Sequence, residues 1–139
     1  MNSIDFKIDE KLGDDSYFIT DLELSQIRII NNSDYTWLIL IPRKKNIVEI
    51  TDLTLGEYSL LCNEIRFISQ MMQKLFKPDK LNIATIGNVV RQLHVHIIAR
   101  FENDKLFPKP VWGCEFAPYN PAELSNKVSL INDAIKSSD

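Results

Sequence analysis

Apolar residues recur along this chain with two periods, and the change from one to the other falls near residue 54. Before it, Leu22-Glu23-Leu24-Ser25-Gln26-Ile27-Arg28-Ile29 alternates apolar and polar as a half-buried strand does. Asn31-Asn32-Ser33-Asp34 supplies turn residues, and Tyr35 to Ile41 resumes a β-rich run that Pro42 stops. This is the pattern of a hairpin. Trp37-Leu38-Ile39-Leu40-Ile41 lacks polar alternation, which predicts a central strand covered on both faces. Arg43-Lys44-Lys45-Asn46 reads as a solvated basic loop leading to a short strand over 47–50.

The helical period begins after Thr54-Leu55-Gly56-Glu57, where threonine and glutamate stand at the spacing of a capping box. Leu61, Ile65, Ile68, Met72 and Leu75 then form one stripe of a long helix running to about Phe76, with Pro78 just beyond it. Lys80 to Ile86 reads as a strand, Gly87-Asn88 as a turn, and Val89 to Phe101 as a second strand. Residues 102–121 hold four of the six prolines and predict an ordered but irregular connection. Asn120-Pro121-Ala122-Glu123 then offers an N-cap and a first-turn proline ahead of Leu124, Val128, Ile131 and Ile135, a short amphipathic C-terminal helix. No repeat or linker divides the chain, so residues 1–139 are expected to form a single domain.

Composition narrows the function classes. A chain of 139 residues, 45% hydrophobic and 25% charged, fits a domain with an ordinary core, and a net charge of −3 argues against a nucleic-acid backbone binder while leaving room for a small anionic ligand. No apolar run approaches the length of a membrane span, and Met1 to Asp5 lacks a basic-then-apolar leader, so no membrane partner and a cytoplasmic location are expected. Cys62 and Cys114 are too few for a disulfide scaffold and lack zinc-like spacing; both are expected as reduced, buried thiols.

The candidate chemistry lies in Gln92-Leu93-His94-Val95-His96-Ile97-Ile98-Ala99-Arg100, which contains both histidines of the chain. Strand alternation would turn Leu93, Val95, Ile97, Ala99 and Phe101 to a core, and Gln92, His94, His96 and Arg100 to the other face, with the two imidazoles roughly 7 Å apart. A single histidine there would be read as a satisfied structural residue; two on one face favour function. One option is a His-x-His metal site, which would need a third ligand from Cys or a carboxylate. The other is nucleophilic attack on phosphorus, for which one ring nitrogen must be bare while a backbone carbonyl fixes the proton on the other. Arg100, at the strand end, is expected to pair with a surface carboxylate.

Gly87-Asn88-Val89-Val90-Arg91-Gln92-Leu93-His94-Val95-His96-Ile97-Ile98-Ala99-Arg100 resembles the signature of the histidine triad (HIT) superfamily, nucleotide hydrolases and transferases that carry His-x-His-x-His followed by two apolar residues. The resemblance extends to Trp37–Arg43, an apolar strand ending in Pro and a basic residue, to Asp52-Leu53, and to Leu81-Asn82 through Gly87. It places His96 third, His94 second and Gln92 first in the triad, as in a bacterial branch with Gln-x-His-x-His. It also differs: Trp37 stands where many members have another histidine, Lys45 where a second often follows the proline, and Asn88 where they have glutamine, while the stretch from Asn82 to Gly87 is one residue short.

The resemblance implies an α+β fold, with an antiparallel sheet of about five strands, one long helix and a C-terminal helix, and a homodimer. It implies hydrolysis or transfer at the α-phosphate of a nucleoside 5′-phosphate derivative, a phosphoramidate or a dinucleoside polyphosphate. His94 would be the nucleophile, His96 a phosphate ligand or proton donor, and Gln92 a hydrogen-bonding remnant of the first histidine. Asn31 or Asn32 would hold the ribose, Gly87, Asn88 and Val89 the phosphate, and Trp112 would line the site; no metal or other cofactor is required for the attack. Two other classes stay open: a catalytically weak nucleotide-binding module, motivated by Gln92, and a His-x-His metalloprotein.

Overall fold

The computed structural model describes residues 5–137; of the stretch Met1 to Asp5, read above as lacking a leader, all but Asp5 lies outside them. A short helix α1 (Glu10–Asp14) precedes strands β1 (Ser16–Asp21), β2 (Ser25–Ile30) and β3 (Thr36–Pro42). The long helix α2 (Leu55–Phe76), strands β4 (Lys80–Ala84) and β5 (Val95–Arg100), and the C-terminal helix α3 (Pro121–Ser137) follow. The strands form one antiparallel sheet in the order β1-β2-β3-β5-β4, so the expected α+β fold and strand number hold.

β3 is the middle strand and is buried at every position, as its unbroken apolar run requires. Leu38 and Leu40 point to one face, with Ile27, Ile29, Val95, Ile97 and Ala99, and pack on Leu61, Ile68 and Met72 of α2 and Ile131 and Ile135 of α3. Full burial of one such side chain is worth about 1.5–3 kcal/mol, so this two-helix layer carries the main core. Trp37, Ile39, Ile41 and Ile98 point to the opposite face, where Leu12 of α1, Tyr35 and Val111 of the 102–120 connection are buried with them and Phe6, Ile8, Val90 and Leu106 pack at the margin. That second face is roofed by short and irregular segments, and the roof leaves space.

Both predicted caps form. The Thr54 hydroxyl accepts from the Glu57 amide at 3.1 Å and the Glu57 carboxylate from the Thr54 amide at 2.9 Å; at α3, the Glu123 amide donates to Asn120 Oδ1 at 2.8 Å. Glu64, buried midway along α2, accepts from the amides of Leu24 at 2.8 Å and Ser25 at 3.0 Å, tying the helix to the β1–β2 turn; burial raises its carboxyl pKa.

Several expectations need correction. Residues 47–50 form no strand: Asp52 Oδ2 accepts from the amides of Val48 and Glu49, and this local turn chemistry leads into a 3-10 turn at Ile50–Asp52. The strand after α2 stops at Ala84 rather than Ile86, and the histidine strand begins at Val95 rather than Val89. Between them Gly87 takes φ +71°, a left-handed turn that breaks the pairing despite the apolar Ile86, Val89, Val90 and Leu93 around it. Cys62 is exposed and Cys114 half-buried; both are free. Arg100 does pair with a carboxylate, but a buried one: Nε and Nη2 contact Asp104 at 2.8 and 3.0 Å, and Arg100 itself is 1% exposed.

Candidate active site

The space on the second face is a cavity of about 1030 Å³, at the upper limit of ordinary small-molecule sites. Its floor is β3 and the start of β5, through Trp37, His94 and His96. One wall is the Ile86–Val90 turn, another is the Trp112–Phe116 stretch with Asn31 and Asn32 from the β2–β3 turn, and Asp14 and Asp15 border it from the end of α1. Apolar and aromatic groups dominate. The lining among the described residues contains no lysine or arginine and three carboxylates, Asp14, Asp15 and Glu115.

His94 and His96 are both buried, with ring centroids 4.8 Å apart and planes at 67°, closer than the roughly 7 Å of an ideal strand because His94 precedes the paired residues of β5. Each ring has one nitrogen committed. His94 Nδ1 lies 2.7 Å from the backbone oxygen of Gln92. A carbonyl only accepts, so the proton resides on Nδ1 and Nε2 keeps a bare lone pair. His96 Nδ1 lies 2.9 Å from the indole Nε1 of Trp37, which only donates. Here the lone pair is on Nδ1, and a neutral ring carries its proton on Nε2. Burial, reinforced by the neighbouring His94, pushes the His96 pKa down to about 3, so the ring is neutral at physiological pH.

Trp112 closes the aromatic group. Its ring centroid is 4.7 Å from that of His96 and 5.3 Å from that of Trp37, and it stays 39% exposed, so an apolar face remains open to a ligand. Opposite, the amides of Gly87, Asn88 and Val89 donate to no protein acceptor among the described residues, and such unspent donors suit an anion. The positive φ at Gly87 that turns the chain here is strained for any residue with a Cβ.

Most of the residues singled out in the sequence meet at this cavity: Asn31, Asn32, Gly87, Asn88, Val89, His94, His96 and Trp112 all line it. Gln92 does not. Its Oε1 accepts from the Asp9 amide at 2.8 Å and its Nε2 donates to the Lys7 carbonyl at 2.9 Å, so the side chain holds the N-terminal segment while its backbone carbonyl orients His94. The two asparagines also differ. Asn32 commits its oxygen to the Asp34 amide and its nitrogen to the Glu115 carbonyl and Cys114 Sγ, whereas Asn31 commits only Oδ1, to the Tyr119 amide. Sequence reading missed Asp14, Asp15, Glu115, Cys114 and Phe116; the one available signal was Asp9, an N-cap for a helix too short to show a period. Among the described residues no group of three or more His, Cys, Asp or Glu is arranged to hold a metal ion.

Fold and site together define an α+β protein whose sheet carries a histidine pair on the floor of a small-molecule cavity. A family model described as the HIT domain matches residues 12–103, and the chain belongs to that family. Among solved structures, a histidine triad protein from Bradyrhizobium japonicum is 40% identical, with 94% of this chain and 98% of that chain covered and a TM-score of 0.91. One from Sinorhizobium meliloti is 36% identical, covering 96% and 99% with a TM-score of 0.92, and one from Marinobacter aquaeolei is 32% identical, covering 95% and 97% with a TM-score of 0.92. No curated protein matches the chain.

Proposed function

We propose that this protein is a nucleotide hydrolase or transferase acting at the α-phosphate of a nucleoside 5′-phosphate derivative, through a nucleotidyl-histidine formed on His94. The observation that carries this reading is the contact of His94 Nδ1 with the Gln92 carbonyl, which leaves Nε2 as a bare nucleophile in a ring lining the cavity. In the first step Nε2 attacks phosphorus, the P–Nε2 bond forms, and the bond to the leaving group breaks, the leaving group keeping the electron pair and taking up a proton from solvent. In the second, water attacks the same phosphorus and gives its proton to solvent, the P–Nε2 bond breaks, and His94 recovers its bare Nε2. Charge building on the phosphate oxygens meets the amides of Gly87 to Val89 and the Nε2–H of His96.

Base and sugar have matching surfaces. Trp112 offers its exposed ring for stacking, and Asn31 is the asparagine with an unspent Nδ2 for a ribose hydroxyl. Trp112→Ala is expected to raise KM about tenfold with a smaller change in kcat, since base–aromatic stacking is worth about 1–3 kcal/mol; steady-state kinetics at several substrate concentrations would separate the two. In the Gln-x-His-x-His pattern proposed for this branch, Gln92 supports the fold around the nucleophile and carries no proton. The protein is proposed to work as a cytoplasmic homodimer, with the whole chain forming one domain.

The charge of the lining bears on the leaving group. With three carboxylates and no lysine or arginine around the cavity among the described residues, a dinucleoside polyphosphate would bring several uncompensated negative charges, whereas a phosphoramidate brings one. Purified protein in EDTA is therefore expected to turn over a fluorogenic adenosine phosphoramidate with a kcat/KM at least about tenfold above that for diadenosine tetraphosphate. Faster cleavage of the tetraphosphate would overturn the charge argument. Turnover of neither, with AMP still bound, would move the reading to a binding module, and activity lost to chelator and restored by zinc would move it to a metalloprotein.

A further inference from the structure

Trp37 is the part of the site that the reading above has not used. It sits on the central strand opposite Ile98, which makes it a diagonal neighbour of His96 on the same sheet face, and at that spacing a large ring reaches across. The indole is 8% exposed and its single polar atom, Nε1–H, is aimed at His96 Nδ1 at 2.9 Å. Tryptophan has no acceptor, so this contact exists in one protonation pattern only. A protein needing only a large apolar group at this position could place Phe there without burying an N–H that must find a partner.

We infer that Trp37 is a positioning residue that fixes His96 as a neutral ring with its proton on Nε2, so that the two histidines face a substrate in opposite tautomers. His94, held by an acceptor, presents a bare nitrogen; His96, held by a donor, presents an N–H. The pair thus divides into one nucleophile and one hydrogen-bond donor although the side chains are identical, and the division is set by what stands behind each ring. A charged His96 would place its Nδ1–H against the indole N–H, so the ring stabilises phosphate oxygens by donating a hydrogen bond rather than by delivering a proton. The titratable groups around it are His94 at 4.8 Å and, across the cavity, Asp14, Asp15, Cys114 and Glu115; none of these is hydrogen-bonded to Nδ1.

This assignment concerns the site proposed above, but its test does not need turnover. With only two histidines in the chain, ring-nitrogen NMR on uniformly 15N-labelled protein gives two pairs of signals, and His94→Asn assigns them. In the wild type, His96 is expected to show a protonated Nε2 and a bare Nδ1, with shifts constant from pH 8 to pH 5, while His94 shows the proton on Nδ1 at pH 8. Trp37→Phe keeps an aromatic ring and removes the donor; His96, still buried beside His94, is then expected to stay neutral but to divide its proton between Nδ1 and Nε2, drawing the two ring-nitrogen shifts together, and kcat to fall about threefold to tenfold with KM within twofold. A wild-type His96 with its proton on Nδ1, or one charged at pH 7, would overturn the inference even if the variant failed to fold. So would a folded Trp37→Phe protein whose His96 signals matched the wild type at every pH. Correct tautomers in a protein that hydrolyses no nucleotide derivative would instead keep the inference and sink the proposed function.

Discussion

His94→Ala is expected to lower kcat on the adenosine phosphoramidate by at least about a thousandfold while AMP affinity changes little. In the proposed mechanism the ring supplies the attacking atom, and nothing else in the cavity offers an uncommitted imidazole lone pair: His96 Nδ1 is taken by Trp37. Loss of a covalent nucleophile removes the reaction path rather than weakening a contact, which is why its effect exceeds that of a binding residue. The AMP arm matters because, under the proposed reading, phosphate would also meet the Gly87–Val89 amides and the base Trp112, which line the same cavity and are untouched by the substitution. Residual activity within tenfold of wild type would remove His94 from the nucleophile's role. Equilibrium titration with AMP alongside initial rates distinguishes a lost nucleophile from a collapsed pocket.

The second large effect is on stability. Arg100→Met is expected to destabilise the protein by about 3–5 kcal/mol, read as a fall in the urea midpoint with an unchanged slope. The guanidinium is buried between the rings of Tyr35 and Phe107, at 5.7 and 5.6 Å, donates to Asn82 Oδ1 at 2.8 Å, and pairs in a fork with Asp104. Asp104 also accepts from the amides of Phe101, Leu106 and Phe107, so removing the arginine strands a buried carboxylate at the start of the connection that carries Trp112 and Glu115 to the cavity. A loss below about 1 kcal/mol would show that the ion pair contributes little.

The same pair sets an acid limb. The Arg100 guanidinium, with the backbone amides of Phe101 and Phe107, holds the Asp104 carboxyl well below the usual carboxylate range. A carboxyl whose folded pKa lies below its unfolded value of about 3.9 adds stability that is fully present above that value and is lost as pH falls through the folded one. The stability gap between wild type and Asp104→Asn is therefore expected to be constant near neutrality and to narrow as pH drops below about 4, measurable by urea titration at each pH. The burial of Glu64 acts the other way: its raised carboxyl pKa favours the fold at low pH, an advantage lost as pH rises through the folded value.

The elements legible in the sequence are those whose side chains repeat over several turns or pairs. α2 is bounded by its capping box and ends at Phe76, and the β2–β3 hairpin follows from the alternation before Asn31 to Asp34 and the unbroken β-rich run after it. β1 was invisible because a register shift between Phe18 and Thr20 breaks its period, and α1 because five residues make little more than one turn. Residues 85–86 and 89–94 read as strand because their apolar side chains imitate one; Gly87-Asn88, read as a turn, marks only the middle of a longer break.

At the site, the histidines, the glycine turn and Trp112 were nameable from their spacing and from the resemblance they carry. What hydrogen-bonds to each was not. Gln92 is six positions in sequence from Ile98, the residue opposite Trp37, yet its amide is spent on Lys7 and Asp9, more than 80 positions away. Likewise the Trp37–His96 bond joins residues 59 apart, and it is the sheet register, not any local pattern, that brings them together. The acidic lining arises in the same way, from α1 and the proline-rich connection converging over one sheet face.

The most direct test of the central claim is to catch the covalent intermediate. Wild-type protein mixed with excess adenosine phosphoramidate, quenched within one turnover in alkali and examined by intact-mass and peptide mass spectrometry, is predicted to carry one adenylyl group on the peptide containing His94, rising and decaying at the rates of turnover. The same quench of His94→Ala is predicted to show none. Steady hydrolysis by the wild type with no adduct at any time point, together with undiminished turnover by His94→Ala, would contradict the account.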